Sequence, residues 1–220
     1  MGHRYTAAMG DASAQHTSRA TPPGGGHGGT GLLVIVSGPS GVGKTTITRR
    51  LEQEIGAEFS VSMTTRPKSA DDVEGRDYFF VTPERFQRAV DESDLLEWAE
   101  VFGNRYGTPR GFVQERLDRG RVVLLEIDVR GAEQVKAKMP DTLAMFILPP
   151  SEEELLRRLR ARGREDEATI QRRFAKAKQE MARARASGVY DHFVVNDDLE
   201  TTCRRAVDTV RQRLPRRASP

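Results

Sequence analysis

Residues 32–46 read Leu-Leu-Val-Ile-Val-Ser-Gly-Pro-Ser-Gly-Val-Gly-Lys-Thr-Thr, and few stretches restrict a fold as strongly. Leu32–Val36 is a short, unbroken apolar run, the pattern of a strand buried on both faces. Gly38-Pro39-Ser40-Gly41-Val42-Gly43-Lys44-Thr45 fits G-x-x-x-x-G-K-[ST], the P-loop pattern. Thr46 to Glu54 follows with Ile47 and Leu51 four residues apart, as on one face of a helix. Strand, glycine loop and helix in that order make a phosphate cradle. Glycines let consecutive N–H groups turn inward and approach phosphate oxygens, and the helix start adds its positive dipole end. Lys44 offers a point charge to β- and γ-phosphates, and Thr45 a hydroxyl to Mg2+. A glycine turn with a surface lysine would need neither this spacing nor this flanking order.

The rest of the chain alternates strand-like and helix-like segments, which makes an α/β class with a mainly parallel sheet. Arg121–Asp128 is a second apolar run ending in acidic residues, and Thr142–Leu148 a third. In a parallel sheet those C-terminal ends face the ligand. Phe59–Met63 reads as a strand, Asp77–Val81 as β-prone, and Thr82-Pro83 as the capped start of a helix. Leu95–Phe102 reads as a strand, Tyr106–Pro109 as a turn, and Arg110–Arg119 as helical. Ser151–Glu154 has the form of a capping box. His192–Asn196 is a last strand before a C-terminal helix. Residues 1–30, rich in Gly, Ala, Ser, Thr and Pro, cannot bury enough apolar surface to offset their ordering entropy and read as a disordered leader.

Charge and cysteine content narrow the functions. With 35 basic and 32 acidic residues the net charge is only +3, too little for a nucleic-acid-binding field. A single cysteine, Cys203, excludes a disulfide framework and a cysteine metal cluster, and agrees with a cytoplasmic location. No apolar run reaches the length of a membrane span.

Further blocks carry a resemblance: Ser62-Met-Thr-Thr-Arg66, Glu74-Gly75-x-x-Tyr78-x-Phe80, Leu96-Glu97-Trp98-Ala99, Tyr106-Gly107-Thr108, Glu126-Ile-Asp128, Pro149-Pro150-Ser151, Arg162-Gly163 and Val194-Val195-Asn196-Asp197. In order and spacing, over about residues 32–212, they resemble guanylate kinase. The resemblance implies a P-loop kinase fold with a GMP-binding insertion over about residues 60–110 and an Arg-rich lid over about residues 157–173. It implies transfer of the γ-phosphoryl group of ATP to GMP with Mg2+, in a monomer or small homo-oligomer.

By the same resemblance, Gly38 to Thr46 hold ATP, with Asn196 and Asp197 flanking adenine. Ser62, Arg66 and Tyr78 hold the GMP phosphate, Glu97 and Thr108 read guanine, and Tyr106 lines the site. The residue types suit the task. A phosphate calls for a guanidinium and hydroxyls, and guanine's paired donors call for a carboxylate. Asp128 and Glu126 match carboxylates near base and metal, leaving open whether Asp128 touches guanine or, beside Thr45, the metal or its water. Lys44, Arg158, Arg162 and Arg173 are the expected catalytic cations, whereas Arg157, Arg160, Arg164 and Arg172 read as solvated. One departure stands out: where the family carries a second phosphate-binding Arg, this chain has Ser69. Lys68 is the preferred replacement, with Arg76, or no second cation, as alternatives. Two other functions compete: a phosphopeptide-binding module of guanylate-kinase-like form, and a P-loop kinase for a ribose phosphate.

Overall fold

The structure is a computed structural model and describes residues 31–161 and 166–214. The chain runs β1 (Leu32–Ser37), α1 (Lys44–Ile55), β2 (Glu58–Phe59), β3 (Met63–Thr64), β4 (Phe79–Phe80), α2 (Pro83–Asp91), β5 (Leu95–Val101), β6 (Asn104–Pro109), α3 (Arg110–Asp118), β7 (Val122–Glu126), α4 (Val129–Lys138), β8 (Leu143–Leu148), α5 (Glu152–Ala161), α6 (Glu167–Ser187), β9 (His192–Val195) and α7 (Leu199–Arg213). Five strands form a parallel sheet in the order β2-β7-β1-β8-β9. Its three central strands are the three apolar runs, and every residue of β1 and β8 is buried. Helices cover it with apolar stripes: Ile47 and Leu51 from α1, Val113 and Leu117 from α3, Ala132 and Val135 from α4, Ala206 and Val210 from α7. β1 ends in the P-loop and β7 ends in Glu126, so the glycine loop and an acidic residue emerge on adjacent strands at the same sheet end.

A second, four-stranded sheet, β4-β3-β6-β5, grows out between α1 and α3. It has its own small core of Met63, Phe86, Ala89 and Leu95. The α2 cap is as the sequence predicts: Thr82 accepts from Arg85 N–H at 3.3 Å and Pro83 occupies the first turn.

Two expected elements are different. Phe59–Met63 is not one strand. Glu58–Phe59 pairs with β7 in the first sheet, and Met63–Thr64 pairs with β4 and β6 in the second. The weak alternation joined the end of one strand to the start of another. Tyr106–Pro109, expected as a turn, belongs to β6, which pairs antiparallel with β5. The turn lies earlier, at Phe102 and Gly103, with φ of 52° and 75°. Gly107, a turn signal in the sequence, is there for close packing: a Cβ would lie 2.8 Å from Leu95 Cδ1 and 3.1 Å from the Glu97 carbonyl oxygen. Among the described residues, no helix is long and apolar enough to cross a membrane.

Candidate active site

The P-loop conformation follows from its glycines. Gly41 and Gly43 both have φ of 93°, a region costly for other residues. A Cβ at Gly43 would also lie 2.7 Å from Asn196 Nδ2. That amide belongs to a brace across the fold. Asn196, buried at the end of β9, donates from Nδ2 to the Val42 carbonyl at 2.7 Å. Arg158 donates to the Asn196 carbonyl at 3.1 Å and to Glu154 Oε1 at 2.7 Å. Asp197 is exposed and accepts from the N–H of Asp198. Lys44 Nζ donates to the carbonyls of Gly38 and Pro39 at 2.8 and 3.2 Å and lies 3.9 Å from Glu126 Oε1. Thr45 Oγ1 donates to Glu126 Oε2 at 3.5 Å, and Thr46 is exposed on the first turn of α1. Burial raises the Glu126 pKa, while Lys44 and Thr45 pull it down.

A cavity of about 380 Å³ joins this loop to the second sheet. Gly38, Ser40 and Lys44 line one end; Ser62, Tyr78, Tyr106 and Glu97 line the other; Glu126 and Asp128 lie between. Glu97 is only 4% exposed. Its Oε1 accepts from Thr108 Oγ1 at 2.6 Å, across the β5–β6 pair. Burial, opposed by the Thr108 hydrogen bond and reinforced by the Asp128 charge, pushes the Glu97 pKa up to about 7. Asp128 caps α4, accepting from Gly131 N–H at 2.8 Å. Of the two acidic residues at the C-terminal end of β7, it is Glu126 that stands beside Thr45, while Asp128 acts on the Glu97 side.

Arg66 approaches the same end from the β3–β4 connection. Nη1 and Nη2 donate to the two oxygens of Asp72 at 2.9 and 3.0 Å, holding that carboxyl well below the usual carboxylate range. The guanidinium lies over the rings of Tyr78 and Phe80, 5.3 and 5.4 Å from their centroids. Tyr78 packs edge-on against Tyr106 at 5.6 Å, and burial raises its pKa. Ser69 does not face outward with its hydroxyl free: its N–H and Oγ both donate to Asp72, at 2.7 and 2.6 Å. Lys68 is exposed in this loop, and Arg76 pairs with Asp77 at 3.0 Å.

From the other side, α6 presents Arg173, Lys176 and Glu180 to the cavity. Lys176 Nζ sits 4.1 Å from the centroid of Phe102, at the tip of the β5–β6 hairpin. Arg157, Arg160 and Arg172 bond to Glu154, Glu167 and Thr169 on exposed helix surface. Arg162 and Arg164 lie outside the described residues, as does the leader over residues 1–30.

A protein-family model for guanylate kinase matches residues 30–213. The chain belongs to the guanylate kinase family. It is 48% identical over 170 residues to guanylate kinase of Symbiobacterium thermophilum, covering 77% of this chain and 79% of the relative. It is 49% identical over 183 residues to guanylate kinase of Nitratidesulfovibrio vulgaris, covering 83% and 85%. The crystal structure of guanylate kinase from Anaplasma phagocytophilum superposes with a TM-score of 0.71 at 34% identity, covering 86% of this chain and 89% of that one.

Several residues around this cavity have no local sequence signal. Asp72 is one of four acidic residues in the β3–β4 connection, and nothing in the loop marks it as the partner of Arg66. Lys176 and Glu180 face the cavity from the helix that carries Arg173, and no motif marks either of them. Asn196 was expected beside adenine, and its role as a brace under Val42 depends on a contact 154 residues distant.

Proposed function

We propose that this chain transfers the γ-phosphoryl group of ATP to GMP, giving ADP and GDP. The observation that carries the reading is one cavity with a P-loop lysine at one end and a buried carboxylate–hydroxyl pair, Glu97 with Thr108, at the other. Guanine presents N1–H and N2–H2 as adjacent donors and O6 as an acceptor. Glu97 meets the donors, and the Thr108 hydroxyl, whose one proton rests on Glu97 Oε1, turns that proton to O6 when guanine binds. A ribose phosphate would have no use for this pair, and a phosphopeptide-binding module would have no use for an intact P-loop.

In the reaction a phosphate oxygen of GMP attacks the γ-phosphorus, and the bond from that phosphorus to the bridging oxygen breaks. The electron pair leaves with ADP. The acceptor is already an anionic oxygen, so no general base is required. Catalysis is positioning and charge compensation. Lys44, which rests on its own loop carbonyls, exchanges them for β- and γ-phosphate oxygens. Arg173 reaches the transferring group from α6, and Arg158 adds charge from α5. Bound with ATP, Mg2+ would supply charge compensation to the phosphates. The Thr45 hydroxyl and Glu126, directly or through water, are a hard oxygen set of the size this ion uses when phosphates supply the rest.

On the acceptor side, Arg66 holds the GMP phosphate through its Nε and Nη2 edge while Asp72 grips the Nη1 and Nη2 end. Ser62 and Tyr78 add hydroxyls. Ser69 Oγ and Arg76 are engaged with Asp72 and Asp77, which supports Lys68 as the second cation. The free buried thiol of Cys203 suits a reducing cytoplasm. An ADP-release assay with GMP, AMP, CMP, UMP and ribose 5-phosphate tests the reading. Release should depend on GMP; equal release with the sugar phosphate would replace guanine recognition by another acceptor.

A further inference from the structure

The base-reading sheet and the P-loop sheet are separate, so one must be registered against the other. Helix α4 stands between them. Ala132 and Val135 on one side are packed in the central core. On another side Gly131, Gln134 and Lys138 meet β5. Their spacing of three and four residues puts them in one row. Gln134 Nε2 donates to the Trp98 carbonyl at 2.7 Å, and the Trp98 N–H donates to Gln134 Oε1 at 3.3 Å. β5 is the edge strand of its sheet, and this amide occupies the place of a neighbouring strand. Lys138 Nζ donates to the Leu96 carbonyl. Glu97 lies between these two anchored residues. Its Oε2 approaches α4 so closely that a Cβ on Gly131 would lie 2.5 Å away.

We infer that Gln134 is a positioning residue for acceptor recognition: by pairing with both backbone groups of Trp98 it holds the Glu97 carboxylate in the plane and register that guanine requires. The inference rests on the GMP reading above. A carboxylate meets N1–H and N2–H2 together only when its plane is held. Hypoxanthine offers N1–H alone, so a carboxylate free to shift still keeps its single contact with IMP. Loosening β5 therefore costs GMP more than IMP, and leaves ATP, held at the other end of the cavity, unaffected.

The test is steady-state kinetics of Gln134→Met, which keeps the length and loses both hydrogen bonds. GMP is the substrate and IMP is scored as a competitive inhibitor. The expected result is a fall of about tenfold in kcat/KM for GMP, the worth of one Glu97–guanine hydrogen bond lost when the carboxylate plane is no longer held. The preference for GMP over IMP should narrow several-fold, with KM for ATP unchanged. Gln134→Glu keeps the acceptor for Trp98 N–H but sets an oxygen against its carbonyl. It should move the same quantities in the same direction, and it replaces the Met variant if that one does not fold. An unchanged GMP-to-IMP preference in a folded variant overturns the inference and leaves Gln134 a fold-maintaining residue. A parent protein that does not phosphorylate GMP overturns the underlying reading, and the inference with it.

Discussion

Replacing Glu97 by Gln should damage function and improve stability, by opposite consequences of one buried charge. Gln keeps the size and can still accept from Thr108, but it turns one acceptor toward guanine into a donor. A buried mismatch costs about 1–3 kcal/mol, which lowers kcat/KM for GMP by about 10- to 100-fold. KM for ATP should hold. Stability moves the other way. The folded Glu97 pKa of about 7 lies above its ordinary value of 4.5, so the folded state binds the proton more tightly than the unfolded state. The parent is therefore unpenalised below about pH 4.5 and loses stability as pH rises toward 7, after which the penalty is constant. Between pH 5 and pH 8 the parent should lose about 2–3 kcal/mol relative to the uncharged variant. At about 2–4 °C per kcal/mol for a chain of this size, the Tm difference, variant minus parent, should grow by about 5–10 °C over that interval. Thermal unfolding without ligand at the two pH values, beside GMP kinetics at pH 8, reads both effects. A Tm difference that does not change with pH refutes the buried-charge argument. Unchanged GMP kinetics refutes the assignment of Glu97 to the base.

Lys44→Ala should lower turnover by orders of magnitude with the fold intact by circular dichroism, because its charge acts where negative charge collects in the transfer; near-normal turnover would remove the kinase reading. Lys68→Ala should raise KM for GMP several-fold and leave KM for ATP in place, measured by varying each substrate in turn. If Arg76→Ala does this instead, Arg76 is the second cation, and if neither does, Arg66 with the hydroxyls suffices. Residues 157–161 and 166–173 should gain hydrogen-exchange protection when GMP and a non-hydrolysable ATP analogue are added together, if these cations close over the bound phosphates; unchanged protection counts against a lid.

What was legible in the sequence was what is local. The strand, glycine loop and first helix are contiguous, and their periodicities and glycine spacing name the fold and the phosphate site together. Glu97 and Thr108 were legible only through the resemblance, because an acidic residue in a strand otherwise reads as solvent-facing. The hairpin between them was misread since Gly107 and Pro109 are turn residues by composition, while the bend falls on Phe102, a residue that rarely takes positive φ. The strands of the second sheet are as short as two residues, too few for period-two alternation to register. The braces were invisible for a different reason. Gln134 reaches Trp98 across 36 residues and Asn196 reaches Val42 across 154, and neither distance leaves a periodic trace. The placement of Glu126 rather than Asp128 beside Thr45 depends on the helix cap that engages Asp128, which is a tertiary fact at a strand end.

The most direct measurement is phosphorus NMR of ATP, Mg2+ and GMP with catalytic amounts of the protein, run beside the same mixture with AMP in place of GMP. The GMP mixture should give ADP and GDP in equal amounts with no free inorganic phosphate, and the AMP mixture should stay as it was. Free phosphate without GDP, or equal conversion of AMP, would contradict a guanine-reading phosphotransferase.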